Sequence, residues 1–246
     1  MPNAVTSSSI HSAHRLHRLP HANLRVNSPD PIPSNRELVL AGVVPFSSVD
    51  FPGTLAAVFF LQGCPWGCRY CHNTHLRPYH PTDNQGEWNW EKARSFLHER
   101  VGFLDGVVFS GGEPTAQSAL KSAIEEARQM GYRIGLHTSG SLPDRLKTIL
   151  HLLDWVGLDI KAPLDSRYDL ITGMEGSAAR VQASLQLILE AGIAYQLRTT
   201  VHPLLHTAQD LEDLHAQLQQ LGTHPSVIQQ FRSQGCEDIE LIATAA

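Results

Sequence analysis

The 246-residue sequence is poor in cysteine, with only four, and their distribution excludes the even, spread-out framework of a secreted disulfide-stapled domain. Three of them, Cys64, Cys68 and Cys71, lie in one short turn, and the fourth, Cys236, stands near the C-terminus. A reducing, cytoplasmic setting suits that pattern. Basic excess is also missing: the formal net charge is -5, so no positive field marks a nucleic-acid partner. No stretch reaches the roughly 20 consecutive apolar residues of a membrane-spanning helix, and no apolar block of the signal-peptide kind opens the chain. No internal repeat occurs. Residues 1–35 lack acid before Asp30 and are dominated by Ser, His, Pro and Asn with Arg15, Arg18 and Arg25, a composition unable to bury a core. They are expected to form a disordered tail ahead of a single domain over 36–246; the same acid-poor, Arg- and Ser-rich character is shared by organellar transit peptides.

What is present is an alternation of short β-branched or aromatic runs with longer amphipathic stretches, the signature of repeated βα units on a parallel sheet. Strands are expected at 55–61, 106–110, 133–138, 155–160, 194–201 and 227–231, with an additional edge strand at 38–44. Helices are expected at 90–101, 116–130, 143–153, 177–191 and 208–221, several ended by a glycine such as Gly131, Gly192 or Gly222. Six units are two short of a closed eight-unit barrel, so the α/β fold expected is an open, partial (β/α)6 barrel with an extra N-terminal edge strand.

In parallel α/β sheets, sites gather where the strands end, and the unusual residues of this chain fall there. Cys64, Cys68 and Cys71 follow the first βα strand, with Gly63 and Gly67 allowing a tight loop. Ser110-Gly111-Gly112-Glu113-Pro114 follows the second, His137-Thr138-Ser139-Gly140 the third and Asp159-Ile160-Lys161 the fourth; Arg198 and His202 lie at the end of the fifth. Thiolates select zinc or iron–sulfur clusters, and four ordinarily complete either site. Three leave one iron of a cubane open to a ligand. Structural zinc is the alternative, with His72, His75 or Cys236 as fourth ligand.

The spacing Cys64-x3-Cys68-x2-Cys71, with Tyr70 just before the last cysteine, resembles the radical S-adenosylmethionine (SAM) superfamily. The resemblance implies a [4Fe–4S] cluster held by the three cysteines, with SAM chelating the fourth iron, and Tyr70 and His72 beside the cofactor. Gly111-Gly112-Glu113 is similar to that superfamily's glycine-glycine-glutamate motif, which implies contact with the methionine end of SAM; the plainer alternative puts Glu113 in a first helical turn, where it favours the macrodipole. Asp159 and Lys161 alternate on a strand end and so share a face. Glycyl-radical activating enzymes have a similar segment that contacts SAM, whereas a rim salt bridge is the other reading. Arg198 and His202 are candidates for the cofactor carboxylate or ribose, against a rim charge tied to Asp159 or Glu113 and a strand cap. His137 and Ser139 stand where pyruvate formate-lyase activases have Asp-Thr-Asn-Gly, a departure from that branch. Cys236 reads as a small interior residue.

The stretch from Pro45 to Gly53, the Cys71-His72-Asn73 ending and Arg198-Thr199-Thr200-Val201-His202 resemble anaerobic ribonucleoside-triphosphate reductase activating proteins, over about 38–231. That likeness implies an enzyme that takes an electron from flavodoxin or ferredoxin, cleaves SAM to a 5'-deoxyadenosyl radical and places a glycyl radical on a partner enzyme. A small-molecule radical SAM enzyme, such as a 7-carboxy-7-deazaguanine synthase, and a zinc-stabilised interaction module are the two rivals.

Overall fold

The computed structural model describes residues 37–79 and 88–244; the expected tail at 1–35 lies outside the described residues. Seven strands form one sheet in unbroken chain order: β1 (Leu40–Ser47), β2 (Ala56–Leu61), β3 (Gly106–Gly111), β4 (Arg133–Thr138), β5 (Trp155–Asp159), β6 (Ala194–Val201) and β7 (Val227–Gln230). β2 through β7 run parallel, and β1 pairs antiparallel with β2 with two register shifts. The strand order never reverses and β1 and β7 do not meet, so the arrangement is the expected partial (β/α)6 barrel with an added edge strand. Among the described residues no helix is long and apolar enough to cross a membrane.

β2 reads Ala-Ala-Val-Phe-Phe-Leu with five of its six residues buried, as a parallel strand covered on both faces requires. One face meets the helical layer: Phe59 and Phe109 pack with α1 (Trp90–Arg100) through Trp90, and Ala123, Ile124 and Ala127 of α2 (Leu120–Gln129) join the same core. The other face encloses a small interior cluster of Phe51, Ala56, Val58, Val108 and Trp155, in which Phe51, from the β1–β2 loop, stacks on Trp155 at 5.7 Å. That loop fills the end of the sheet opposite the strand C-termini.

Two expected helices are shorter than their apolar pattern. In place of a helix from 116, a 3-10 turn at Pro114–Ala116 is followed by α2, because Gln117 is extended and its side chain serves the edge strand. Its amide donates to the carbonyls of Val39 and Gln62, and its Oε1 accepts from the Val39 amide. The stretch 143–153 divides into α3 (Pro143–Lys147) and a 3-10 turn at Leu150–Leu152. Two short helices were not expected, α4 (Ser166–Thr172) and α7 (Ile239–Ala243), capped by Asp165 and Asp238. α5 (Ser177–Ala191) and α6 (Ala208–Gln220) match their expected spans to within a residue.

Candidate active site

The loop after β2 carries the cysteines and is held from three sides. Its own return segment supplies backbone pairs, Gly63 N–H to Leu76 O and Cys64 N–H to Arg77 O. α4 supplies carbonyls, Thr172 accepting from Gly67 and Ile171 from Arg69. The C-terminal segment then lies across the outside. Arg69 pairs with Asp238 and Glu240, both at 2.8 Å, the Thr74 hydroxyl donates to Gly235 O, and the His72 Nε2 accepts from the Arg232 amide.

The fourth contact explains the paired glycines. A Cβ on Gly112 would lie 2.4 Å from the Gly63 carbonyl oxygen, and one on Gly111, whose φ is +119°, 2.3 Å from the Leu61 nitrogen. The β3 end can therefore meet the cysteine loop backbone to backbone only without side chains at these positions. Glu113 N–H donates to the same Gly63 carbonyl at 2.8 Å.

Cys64, Cys68 and Cys71 are all free and line one cavity of about 900 Å³, counted to its open mouth. Tyr70, His72, Gly111, Gly112, His137, Ser139, Asp159, Lys161 and Arg198 line it with them. Twelve of the fourteen sequence-expected residues thus meet at the strand C-termini. Burial pushes the Cys64 thiol up, reinforced by Cys68; burial also raises Cys68, against the opposing charge of Lys161. Thiolates in this setting need a cationic core, and three such sulfurs on one wall fit an iron–sulfur cluster. Among the described residues no three His, Cys, Asp or Glu side chains are arranged to hold a single metal ion. Of the three candidate fourth ligands for zinc, Cys236, whose thiol points at the Arg69 carbonyl, and His75 are absent from the cavity lining, and His72 lines it.

Glu113 and His202 are the two residues the cavity does not include. The Glu113 side chain is fully buried and accepts five hydrogen bonds: the Thr115 amide and hydroxyl and the Thr138 hydroxyl on Oε1, the Ser139 amide and hydroxyl on Oε2. It ties the end of β3 to the end of β4 from behind the lining. His202 is buried against the C-terminal helix: its Nε2 donates to Leu241 O at 3.0 Å, its Nδ1 accepts from Leu204 N–H, and Phe231 packs edge-on at 4.8 Å.

His137 sits at the cavity floor. Its Nε2 donates to Asp50 O at 2.8 Å, which leaves Nδ1 to accept from the Ser110 hydroxyl at 3.3 Å. Burial, then the nearby Arg198 charge, lowers its pKa to about 4, so the imidazole is neutral at pH 7. On the neighbouring strands Arg198 forks onto Asp159 Oδ1 through Nε at 3.1 Å and Nη2 at 3.0 Å, while Lys161 Nζ stands 3.5 Å from Asp159 Oδ2 and 5.7 Å from the Tyr70 ring centre. Burial works against the Asp159 carboxylate, but Arg198 and then Lys161 hold its pKa below the ordinary value. The rim ion pair and a cavity-facing position are therefore the same place.

Sequence reasoning missed two contributors. Arg77 lines the cavity beside the cysteines, with its guanidinium packed on Gly67. His206 donates from Nε2 to Lys161 O at 2.8 Å and props the charged wall. Neither carries a motif; both arrive through chain reversals that spacing does not encode.

The profile of the radical SAM superfamily matches residues 58–218. A protein of Methanocaldococcus jannaschii named "Putative glycyl-radical enzyme activating enzyme" is 27% identical over 208 residues, covering 82% of this chain and 83% of its own length. A 7-carboxy-7-deazaguanine synthase of Methanopyrus kandleri is 35% identical over 131 residues, 50% of this chain and 46% of its own. Among solved structures, Streptococcus suis SuiB bound to S-adenosylmethionine superposes with a TM-score of 0.55 at 14% identity, over 70% of this chain and 39% of that one, a likeness of fold. With the profile spanning most of the folded chain and the cysteine cavity in place, this protein belongs to the radical SAM superfamily, whose members use a [4Fe–4S] cluster and S-adenosylmethionine.

Proposed function

We propose that this chain is a glycyl-radical enzyme activating enzyme, acting on an anaerobic ribonucleoside-triphosphate reductase, with flavodoxin or ferredoxin as electron donor. The observation that carries the reading is the end-to-end match to a relative named as an activating enzyme, 82% of one chain on 83% of the other. The synthase likeness covers about half of each chain. A compact catalytic unit over 36–246, working in a reducing cytoplasm that keeps its thiols free, is part of this reading.

In it, Cys64, Cys68 and Cys71 hold the cluster, and SAM occupies the rest of the cavity. When bound, cluster and SAM together supply one-electron cleavage of a carbon–sulfur bond and abstraction of a hydrogen atom from a glycine of the partner. The protein's residues supply binding and exclusion of water. Gly111 and Gly112 offer bare backbone to the methionine end, and Tyr70, His72 and Ser139 bound the space around it. Lys161 and Arg198 share the single carboxylate of Asp159, which leaves cationic capacity for the SAM carboxylate. His137, neutral and fixed in one tautomer, offers polarity without charge at the floor. Glu113 and His202 contribute as supports for these groups.

The test is anaerobic. Reconstituted protein with SAM and reductant should place a glycyl electron-spin signal on an anaerobic ribonucleoside-triphosphate reductase, and candidate small molecules should remain unchanged. Turnover of a deazapurine precursor without that signal would favour the synthase reading. Replacing Cys64, Cys68 or Cys71 with alanine should abolish SAM cleavage, measured as 5'-deoxyadenosine; a variant keeping full cleavage would remove that cysteine from the cluster.

A further inference from the structure

The cavity is lopsided in charge. Three cations line it, Arg77, Lys161 and Arg198, against one carboxylate, Asp159, and that carboxylate is shared by Lys161 and Arg198. Arg77 has no carboxylate partner among the described residues. Its position is nevertheless fixed. Its carbonyl accepts from the Cys64 amide at 2.9 Å, and its Nη2 lies 3.1 Å from where a Cβ on Gly67 would stand. The guanidinium thus rests on bare backbone between Cys64 and Cys68, half-buried and in the lining of the cysteine cavity, with no counterion among the described residues.

A guanidinium beside three thiols gains most in interaction energy when they become strongly anionic. An Fe4S4 core on three thiolates carries a net charge of about -1, and about -2 after one electron enters. A fixed positive charge nearby favours the second state over the first, and more so where water is partly excluded.

We propose that Arg77 is a redox-tuning residue: its guanidinium, seated on Gly67, stabilises the one-electron-reduced cluster and eases its reduction by the external donor protein. This rests on the cluster assignment above. One electron passes from the donor to the cluster, no proton moves, and Arg77 remains charged throughout. Arg77 is a positioning charge and makes no bond to a reacting atom.

The experiment compares parent, Arg77→Gln and Arg77→Lys after anaerobic reconstitution, by iron and sulfide content and by a spin-resonance-monitored potentiometric titration at low and high salt. Arg77→Gln should take up as much iron as the parent but lower the midpoint potential by a tenfold change in the reduction equilibrium, about 59 mV for one electron. Arg77→Lys should recover more than half of that difference, and the gap between Gln and parent should narrow at high salt. A fully loaded Arg77→Gln protein with the parent's midpoint would overturn the inference, as would Gln and Lys variants lowered equally. If Arg77→Gln takes up no cluster, Lys decides: parent-like uptake and potential support the role of charge, and lost uptake overturns it. A parent that accepts no iron fails earlier, at the cluster assignment itself.

Discussion

The two carboxylates at the strand C-termini, Glu113 and Asp159, are satisfied in opposite ways. Glu113, at the end of β3, meets only hydroxyls and amides, five donors in all, and lies out of reach of the cavity. Asp159, at the end of β5, meets a guanidinium and an ammonium and faces the cavity. A carboxylate satisfied by neutral donors fixes shape, because every partner is a directional hydrogen bond from a neighbouring loop. One shared between two cations sets potential, because its partners keep charge to offer. The β3–β4 wall is thus built for close backbone approach and the β5–β6 wall for attraction.

The difference can be broken most severely at Glu113. Glu113→Ala leaves five donors facing a buried void and should cost about 3 kcal/mol, read as a fall in the denaturation midpoint of the apoprotein. A loss no larger than that of a surface substitution would mean that the clamp is ornamental. Next comes His137, where the two walls meet. Its folded pKa of about 4 lies below the unfolded value near 6.5, so the unfolded chain binds a proton that the folded imidazole refuses. Stability should fall as pH drops from about 6.5 towards 4, and His137→Gln should flatten that slope in thermal melts across the range.

Asp159→Asn should have a smaller effect, about 1 kcal/mol at neutral pH, since the side chain is 38% exposed and its ion pairs are screened. Its folded pKa is lowered, so the contribution is complete above the usual aspartate value near 3.9 and is lost as pH falls through the folded one. Parent and variant should therefore converge in strong acid; a constant gap would assign the loss to packing and not to charge. The smallest change is expected of His206→Ala, which removes a donor to the Lys161 carbonyl and an acceptor for the His202 amide and should cost about 1 kcal/mol. Any larger loss of SAM affinity than of stability would make that histidine part of the attracting wall.

Much of this was legible in the chain before any coordinates. The parallel strands were read to within a residue because β2, β3 and β5 are apolar runs buried on both faces, which leave a strong local pattern, whereas the edge strand β1 runs to Ser47, three residues past its expected end. α4 and α7 escaped because seven and five residues are too few for a helical period to declare itself. The cysteine loop and its glycines announced themselves by spacing alone. The roles of Glu113 and His202 did not, since whether a polar side chain faces a cavity or its back is decided by partners such as Ser139 and Leu241 that local sequence does not reveal. Arg77 was invisible for the same reason.

The fastening of the cysteine loop by the C-terminal segment has a temporal side. Arg69 finds Asp238 169 positions later and Glu240 171 later, and His72 finds Arg232 160 later, so the ribosome has released the cysteines long before their outer brace exists. The outer side of the cysteine loop is therefore braced only once α7 and the turn before it have folded back across it.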